Sequence, residues 1–337
     1  MNHKFYNFLL LLVLSTSMLA QEVTLNGYVT DKSNGETLIG ATVFLREAGV
    51  GATSNEYGFY SITVPPAEYT VEFAYLGFQT EVVNVNLTFN TKLDIELLEE
   101  AAALEEIVIT AEAKDQNVSA IEMSVNKLDI ATIKKMPTLL GEVEILRSIQ
   151  LLPGVSTVGE GSTGFNVRGG SIDQNLVLLD EAPVYNSSHL FGFFSVFNPD
   201  AVKDVKLYKG GIPSRYGGRL ASILDVRMKE GNNKQLTLNG GIGLIFSRLS
   251  IEAPIVKDKA SFIVAARRSY IDILSRPFLP EDQENSRLYF YDLTLKTNYD
   301  INEKNRLFLS AYLGRDAFVF GDDAGFNWGN QTATLRW

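Results

Sequence analysis

The sequence predicts a mainly β protein in three folded parts. These are an N-terminal β-sandwich, a small α+β domain, and the first strands, about six, of a transmembrane β-barrel that is truncated before it closes. Three observations carry this. Apolar and polar residues alternate from Val23 to Leu98 and again from Gln235 onward, the period of half-buried strands. Between those stretches the alternation gives way to short apolar runs and paired glycines, Gly169-Gly170, Gly210-Gly211 and Gly217-Gly218, which suit a compact turn-rich domain. No apolar run reaches the roughly 18 residues of a spanning helix, so any membrane crossing must be made by strands closed on themselves.

Composition narrows the chemistry. The 337 residues include no Cys, which removes disulfides, thiolate metal sites and a Cys nucleophile. The two histidines, His3 and His189, leave little room for an imidazole metal cluster, and His189 in NSSHLFGFF reads as an ordinary residue of a loop or of the turn-rich domain rather than a metal ligand. A formal charge of −10 argues against nucleic acid, whose affinity rests on basic patches. No cofactor and no enzyme chemistry is implied. Asp180-Glu181 is no joint acid/base pair, since neighbours on a strand face opposite ways. Gly159–Gly164 (GEGSTG) lacks the Gly-Lys-Ser/Thr ending of a phosphate loop.

In chain order, residues 1–20 have Lys4 as a positive start, Phe8–Leu14 as an apolar centre and Ser15–Ala20 as a small-residue tail, the make-up of a secretory signal. Cleavage is expected after Ala20, although Met18 departs from the small-x-small rule. Residues 21–98 hold about seven strands, marked by turns at Ser33-Asn34-Gly35, Asn55–Gly58 and Pro65-Pro66. Residues 99–113 begin as an Ala- and Glu-rich linker and switch to β-branched residues in Glu105, Glu106, Ile107, Val108, Ile109, Thr110 and Ala111. That run is either a further strand of a neighbouring domain or a segment presented to a partner by strand addition.

Residues 114–231 make the α+β domain. Asp129–Lys135 reads as a short helix stopped before Pro137. Leu139, Val143, Leu146, Ile149 and Leu152 follow helical spacing up to Pro153-Gly154, and Glu142, Glu144 and Arg147 lie off that stripe on a charged, solvated face. Strands are expected at Asn175–Leu179, Val202–Tyr208 and Ser222–Val226.

Residues 232–337 carry the barrel pattern. In Tyr289–Tyr299 and Arg306–Asp316 the odd positions are largely apolar, and the even ones carry most of the polar residues. This is lipid-out, lumen-in patterning, with Tyr near strand ends. Turns at Val256–Lys259 and Asn302–Asn305 are short, while Asp272–Arg287 and Gly321–Gly329 are expected to be long outer loops. The phase slip at Ile245–Arg248 means either two strands, Gln235–Gly243 and Phe246–Pro254, or one long strand with a bulge. With Ala260–Tyr270 and Gln331–Trp337 the count is about six, against at least about eight for a closed membrane barrel.

Leu151–Val155 (LLPGV), Phe165–Gly170 (FNVRGG), Leu176–Tyr185 (LVLLDEAPVY) and Val205–Gly231 (VKLYKGGIPSRYGGRLASILDVRMKEG), in this order and spacing, resemble the plug of TonB-dependent outer-membrane receptors. Val23–Phe78 similarly resembles the carboxypeptidase-regulatory-like sandwich that precedes the plug in Bacteroidota-type receptors. The resemblance implies a cell-outer-membrane location with a periplasmic N-terminal domain. It makes Glu105–Ala111 similar to the TonB box, captured by a TonB-type periplasmic energy transducer. It also implies that plug arginines, here Arg168, Arg215 and Arg219, pair with acids on the barrel wall. Outer-membrane lipid would surround the strands, and a surface lipoprotein is a possible partner. An imported ligand, whose identity the sequence does not give, would meet plug loops at Gly159, Glu160, Gly161, Ser162 and Thr163 and at Asn186, His189 and Phe191. The rival reading is a secreted multi-sandwich adhesion or carbohydrate-binding protein, which accounts for the leader and first domain but not for the plug-like pieces. A periplasmic peptidase bearing the regulatory-like domain is disfavoured by the lack of Cys and of a His cluster.

Overall fold

The computed structural model describes residues 22–100, 124–136, 138, 142–159, 162–302, 305–321 and 324–337. The leader and the segment Glu105–Ala111 lie outside the described residues. The chain divides into two compact units, Met1–Glu106 and Ile107–Trp337.

The first unit is the expected sandwich. Its strands are β1 (Val23–Asp31), β2 (Thr42–Leu45), β3 (Val50–Thr53), β4 (Phe59–Val64), β5 (Ala67–Ala74), β6 (Glu81–Leu87), β7 (Thr91–Lys92) and β8 (Ile95–Leu97). One sheet runs β3-β2-β5-β6; in the other, β1 lies between β4 and β7 and also pairs with β8. The period-two pattern sends Leu25, Val29, Val43, Val71 and Phe73 into the core between the sheets. The turn residues work locally: Asn55 Oδ1 accepts from the Tyr57 and Phe59 N–H groups, and Asp31 Oδ1 from the Ser33 N–H.

The second unit begins with a five-stranded sheet. Its members are β9 (Val125–Asp129), β12 (Asn175–Leu179), β13 (Ala182–Pro183), β16 (Val202–Tyr208) and β17 (Ser222–Met228), in the order β13-β12-β17-β16-β9. The β12–β17 pair is parallel and the others are antiparallel. Two small hairpins join it, β10 (Val155–Thr157) with β11 (Phe165–Val167), and β14 (Ser188–His189) with β15 (Phe194–Ser195). Helix α1 (Ile130–Lys134) starts where expected, because the Asp129 carboxylate caps the Thr132 N–H at 2.7 Å. Helix α2 spans Ile145–Gln150 and buries Ile145, Leu146 and Ile149. It starts later than the apolar spacing suggested, since Glu142 and Val143 are not helical.

Six antiparallel strands follow in sequence order: β18 (Thr237–Ile242), β19 (Phe246–Val256), β20 (Ala260–Ser269), β21 (Arg287–Asn302), β22 (Asn305–Phe320) and β23 (Ala324–Arg336). The phase slip near Ile245 is a turn between two strands, paired from Thr237↔Glu252 to Ile242↔Ser247. Residues 270–286 form a long connection containing α3 (Ile271–Ser275). The long loop expected at Gly321–Gly329 is absent. Pairing of β22 with β23 continues to Phe320↔Ala324, so Phe326 and Trp328 belong to a strand. The Gly, Asn and Asp residues there imitate loop composition, but cross-strand aromatic contacts hold the ladder.

The polarity of this sheet is inverted relative to a soluble one. Its inner face, buried beneath the α+β domain, carries Ser250, Arg267, Asp292, Lys296, Asn298 and Asp316. Its outer face carries Leu249, Leu293, Leu309, Leu313 and Leu335, all exposed. Leu238, Ile251, Val264, Leu295, Ala311 and Ala333 stand in a single row across all six strands. Along β21 the apolar stretch is bounded by Tyr291 and Tyr299, about 26 Å apart at about 3.3 Å per residue, close to the height of a membrane barrel's apolar band.

Candidate functional site: the seam between the α+β domain and the strand sheet

The inward polar residues of the strands meet acids of the α+β domain along a continuous seam. At one end Arg306 on β22 reaches Glu230 at 2.9 Å, while Asn298 and Ser261 donate to the Glu230 carbonyl. Next, Lys296 on β21 lies 2.9 Å from Asp180 and donates to the Met228 carbonyl. Arg336 on β23 and Arg227 on β17 share Glu181, each at 3.0 Å. Arg248 on β19 pairs with Asp200 and lies 3.4 Å from Glu142.

The most deeply buried group is centred on Arg267 of β20, which is 2% exposed. Its Nε donates to Asp292 Oδ2 across the strand pair at 2.9 Å, and its Nη2 donates to the Ser195 carbonyl at 2.7 Å. The Ser195 N–H in turn donates to both oxygens of Glu144 at 3.0 Å. The guanidinium lies 5.3 Å from the Phe290 ring centre and 5.6 Å from that of Phe246, so its faces rest on aromatic carbon. Burial pushes the Glu144 carboxyl up to about 7, against the opposing pull of Arg267 and the Ser195 N–H. Glu142 is likewise raised by burial.

His189 stands beside this group, 1% exposed. Nδ1 is 2.7 Å from Asp316 Oδ2, and Nε2 is 3.2 Å from Asp292 Oδ2 and 3.3 Å from the Tyr312 hydroxyl. The next residue's backbone, Leu190 N–H, donates to the other Asp316 oxygen at 2.8 Å, and the imidazole stacks on Phe290 at 4.3 Å. Burial disfavours the imidazolium, but the two carboxylates outweigh it and leave the His189 pKa raised.

Above His189 the chain turns through Leu190 (φ 49) and Phe191 (φ 58), a left-handed backbone that bulky residues seldom adopt. The turn places Phe191 3.8 Å from Phe318, 6.0 Å from Phe326 and 5.6 Å from Trp328, measured between ring centres. Phe191 is 61% exposed, so one face of this aromatic group is open. The Thr163 N–H donates to the Gly192 carbonyl at 2.7 Å, which brings the two sequence-selected loops together. Asn330 of β23 donates to the Asn186 carbonyl at 2.6 Å, and Gln150 holds the Ser162 and Gly164 carbonyls. Gly159 is exposed, Thr163 is buried, and Glu160 and Gly161 lie outside the described residues.

The three arginines selected from sequence have described neighbours within the α+β domain. Arg168 donates to Ser124 Oγ, Arg215 lies over the Tyr216 ring with the Tyr208 hydroxyl at 3.5 Å, and Arg219 donates to its neighbour's carbonyl. Most of the seam's ion pairs join a strand cation to an acid of the α+β domain, whereas His189 and Lys229 of that domain face strand carboxylates. The solvated face expected for Glu142 and Glu144 is also corrected, because both are buried against strand arginines. His189 is a buried residue of the α+β domain at the seam. Alternation did place the even-numbered positions of β21 and β22 inside, which was the available signal for Asp292 and Asp316; on β20 the inward positions are the odd ones, Arg267 among them. Their partners, more than a hundred residues away in some cases, leave no local signature.

Residues 25–109 match the CarboxypepD_reg-like domain family, and residues 118–222 match the TonB-dependent receptor plug domain family. TonB-dependent receptor P3 of Formosa agariphila is 31% identical over 137 residues, covering 40% of this chain and 13% of that protein. The siderophore receptor PirA of Acinetobacter baumannii is similar with a TM-score of 0.44 and 15% identity, over 65% of this chain and 34% of that one. The outer membrane transporter YddB of Escherichia coli is similar with a TM-score of 0.44 and 13% identity, over 63% of this chain and 36% of that one. The chain thus covers about a third of each of these solved structures.

Proposed function

We propose, since this chain carries a CarboxypepD_reg-like domain followed by a TonB-dependent receptor plug domain, that it works as an outer-membrane receptor that imports a ligand through a plugged β-barrel. The observation that supports it most directly is the inverted strand sheet. A polar inner face is buried against the plug by ion pairs, and an apolar outer face of membrane height is left exposed. In this reading outer-membrane lipid covers the outer face. The sandwich lies on the periplasmic side, and no covalent chemistry is performed.

The ligand side of the plug is the end carrying Phe191, where the loops at Gly159–Thr163 and Asn186–Phe193 converge beside the aromatic rings of β22 and β23. The energy for import comes from the inner membrane, through a TonB-type protein that captures Glu105–Ala111 by strand addition. Backbone hydrogen bonds supply that grip, so a ring that removes an N–H defeats it. The test is binding of the isolated periplasmic domain of a TonB protein to the full chain in detergent, beside an Ile107→Pro, Ile109→Pro variant. Binding by the wild type and its loss in the variant is expected. Equal binding by both, or none by either, overturns the coupling role of this segment.

A further inference from the structure

Both ring nitrogens of His189 face a carboxylate oxygen: Nδ1 lies 2.7 Å from Asp316 and Nε2 3.2 Å from Asp292. A neutral imidazole has one N–H and one lone pair, so it satisfies only one of these contacts and opposes the other. The imidazolium donates to both. The two carboxylates sit on adjacent strands, β21 and β22, whereas the imidazole sits on the plug, so the ring ties plug to wall. The same residue's loop is held by a second bond to the same carboxylate, Leu190 N–H to Asp316.

We propose that His189 is a proton-dependent latch, which as imidazolium fastens the 186–195 loop of the plug to β21 and β22 and on losing its proton loosens that loop. The charge of the surrounding group supports this. From β20 comes Arg267, from β21 Asp292 with the Phe290 ring, and from β22 Asp316 and the Tyr312 hydroxyl. From the plug itself comes Glu144, linked through the Ser195 backbone. With His189 protonated and Glu144 neutral, the two cations balance the two aspartates. Loss of the His189 proton leaves a net negative charge buried in the seam, where it is poorly solvated. Both His189 and Glu144 hold their protons more tightly here than in water. The seated plug therefore binds more protons than the released one, and rising pH favours release. In the deprotonated state the Tyr312 hydroxyl is placed to donate to Nε2, so the ring changes partner instead of losing one. The strained turn at Leu190–Phe191 follows directly, so the latch acts on the same loop that presents the aromatic surface.

The latch rests on the plug reading only in naming its two sides, and it is tested without any energy transducer. The full chain in detergent micelles, labelled with 15N at histidine, is titrated from about pH 6 to about pH 8. The sequence has only two histidines, so His189→Gln assigns the resonances. Expected are two protonated ring nitrogens at the acid end and a midpoint above that of a free histidine, about 6.5. Across that midpoint, amide exchange of residues 188–195, corrected for intrinsic rates, should rise by up to about tenfold per pH unit. It should stay flat in His189→Gln. If that variant does not fold, Asp316→Asn, which leaves the ring and Asp292 in place, should lower the midpoint and reduce the exchange slope. A ring that is neutral throughout, or loop exchange indifferent to its titration, overturns the latch while leaving the import reading standing.

Discussion

Arg267 is the side chain whose loss the seam should tolerate least. It holds Asp292 within the wall and the Ser195 carbonyl within the plug, and its charge favours the ionisation of Glu144 against the effect of burial. Breaking a buried ion pair by removing one partner costs about 3–5 kcal/mol, because the remaining charge is stranded. Arg267→Met should therefore lower stability by that order in urea titrations of the detergent-folded chain. Glu144 gives a prediction with a sign. Folded, it keeps its proton up to about 7, against an ordinary 4.5. The folded state binds the extra proton within that window, so the stability present below it is lost as pH rises through it, on the order of 3 kcal/mol. Glu144→Gln should remove this slope, as read from unfolding midpoints across the window. At this scale the sequence was least legible. Arg248, Arg267 and Arg306 look like any other arginines as isolated letters, and their acidic partners are brought in by the fold.

Elements were far more legible, because strands announce themselves by alternation and helices by caps. The three apolar strands of the plug sheet and the wall strands β20, β21 and β22 fall where period and turn residues put them, β18 and β19 take the two-strand alternative, and β23 begins earlier than expected. The failures come from local composition that misleads: Gly321–Gly329 looks like a loop and is mostly strand, and Glu142-Val143 continues a helical spacing that the backbone does not follow. One glycine at a junction is decisive. Gly231, between β17 and the wall, has φ 86, and a Cβ there would lie 2.5 Å from the Phe262 carbonyl oxygen. Gly231→Ala therefore meets both a backbone clash and an unfavourable φ. We expect a loss of more than about 1 kcal/mol and a local shift of the junction away from β20, read by unfolding midpoint and by amide exchange at Phe262 and Ile263.

For the whole molecule, the measure of the membrane reading is whether the outer face tolerates charge. Leu295 lies in the middle apolar row, and its neighbour Thr294 points inward beneath the plug. An arginine at the bilayer midplane of a strand wall costs about 2–4 kcal/mol, and much less near the interfaces. Leu295→Arg should thus impair folding into lipid vesicles by that amount, while Arg at Tyr291, near the band edge, should cost about 0–1 kcal/mol. Equal effects at the two positions, or none in vesicles, would show that the outer face does not meet lipid. The alternation made this face visible in the sequence, but the inner face's burial was not visible, since a lumen filled with water and one filled by a plug impose the same polar pattern.

The junction at Glu230 also sets the geometry of any plug movement. Its carbonyl and carboxylate are held by Ser261, Asn298 and Arg306, the Lys229 N–H is bonded to the Ala201 carbonyl, and Gly231 lies against the Phe262 backbone. The covalent exit of the plug is therefore also a firmly moored corner. If the proposed coupling pulls on the opposite terminus, the resulting displacement would be a swing about a fixed pivot, not a withdrawal. Side chains near residue 230 would then trace short arcs and those around Phe191 long ones, and a passage would open from the aromatic rim and narrow to nothing at the pivot.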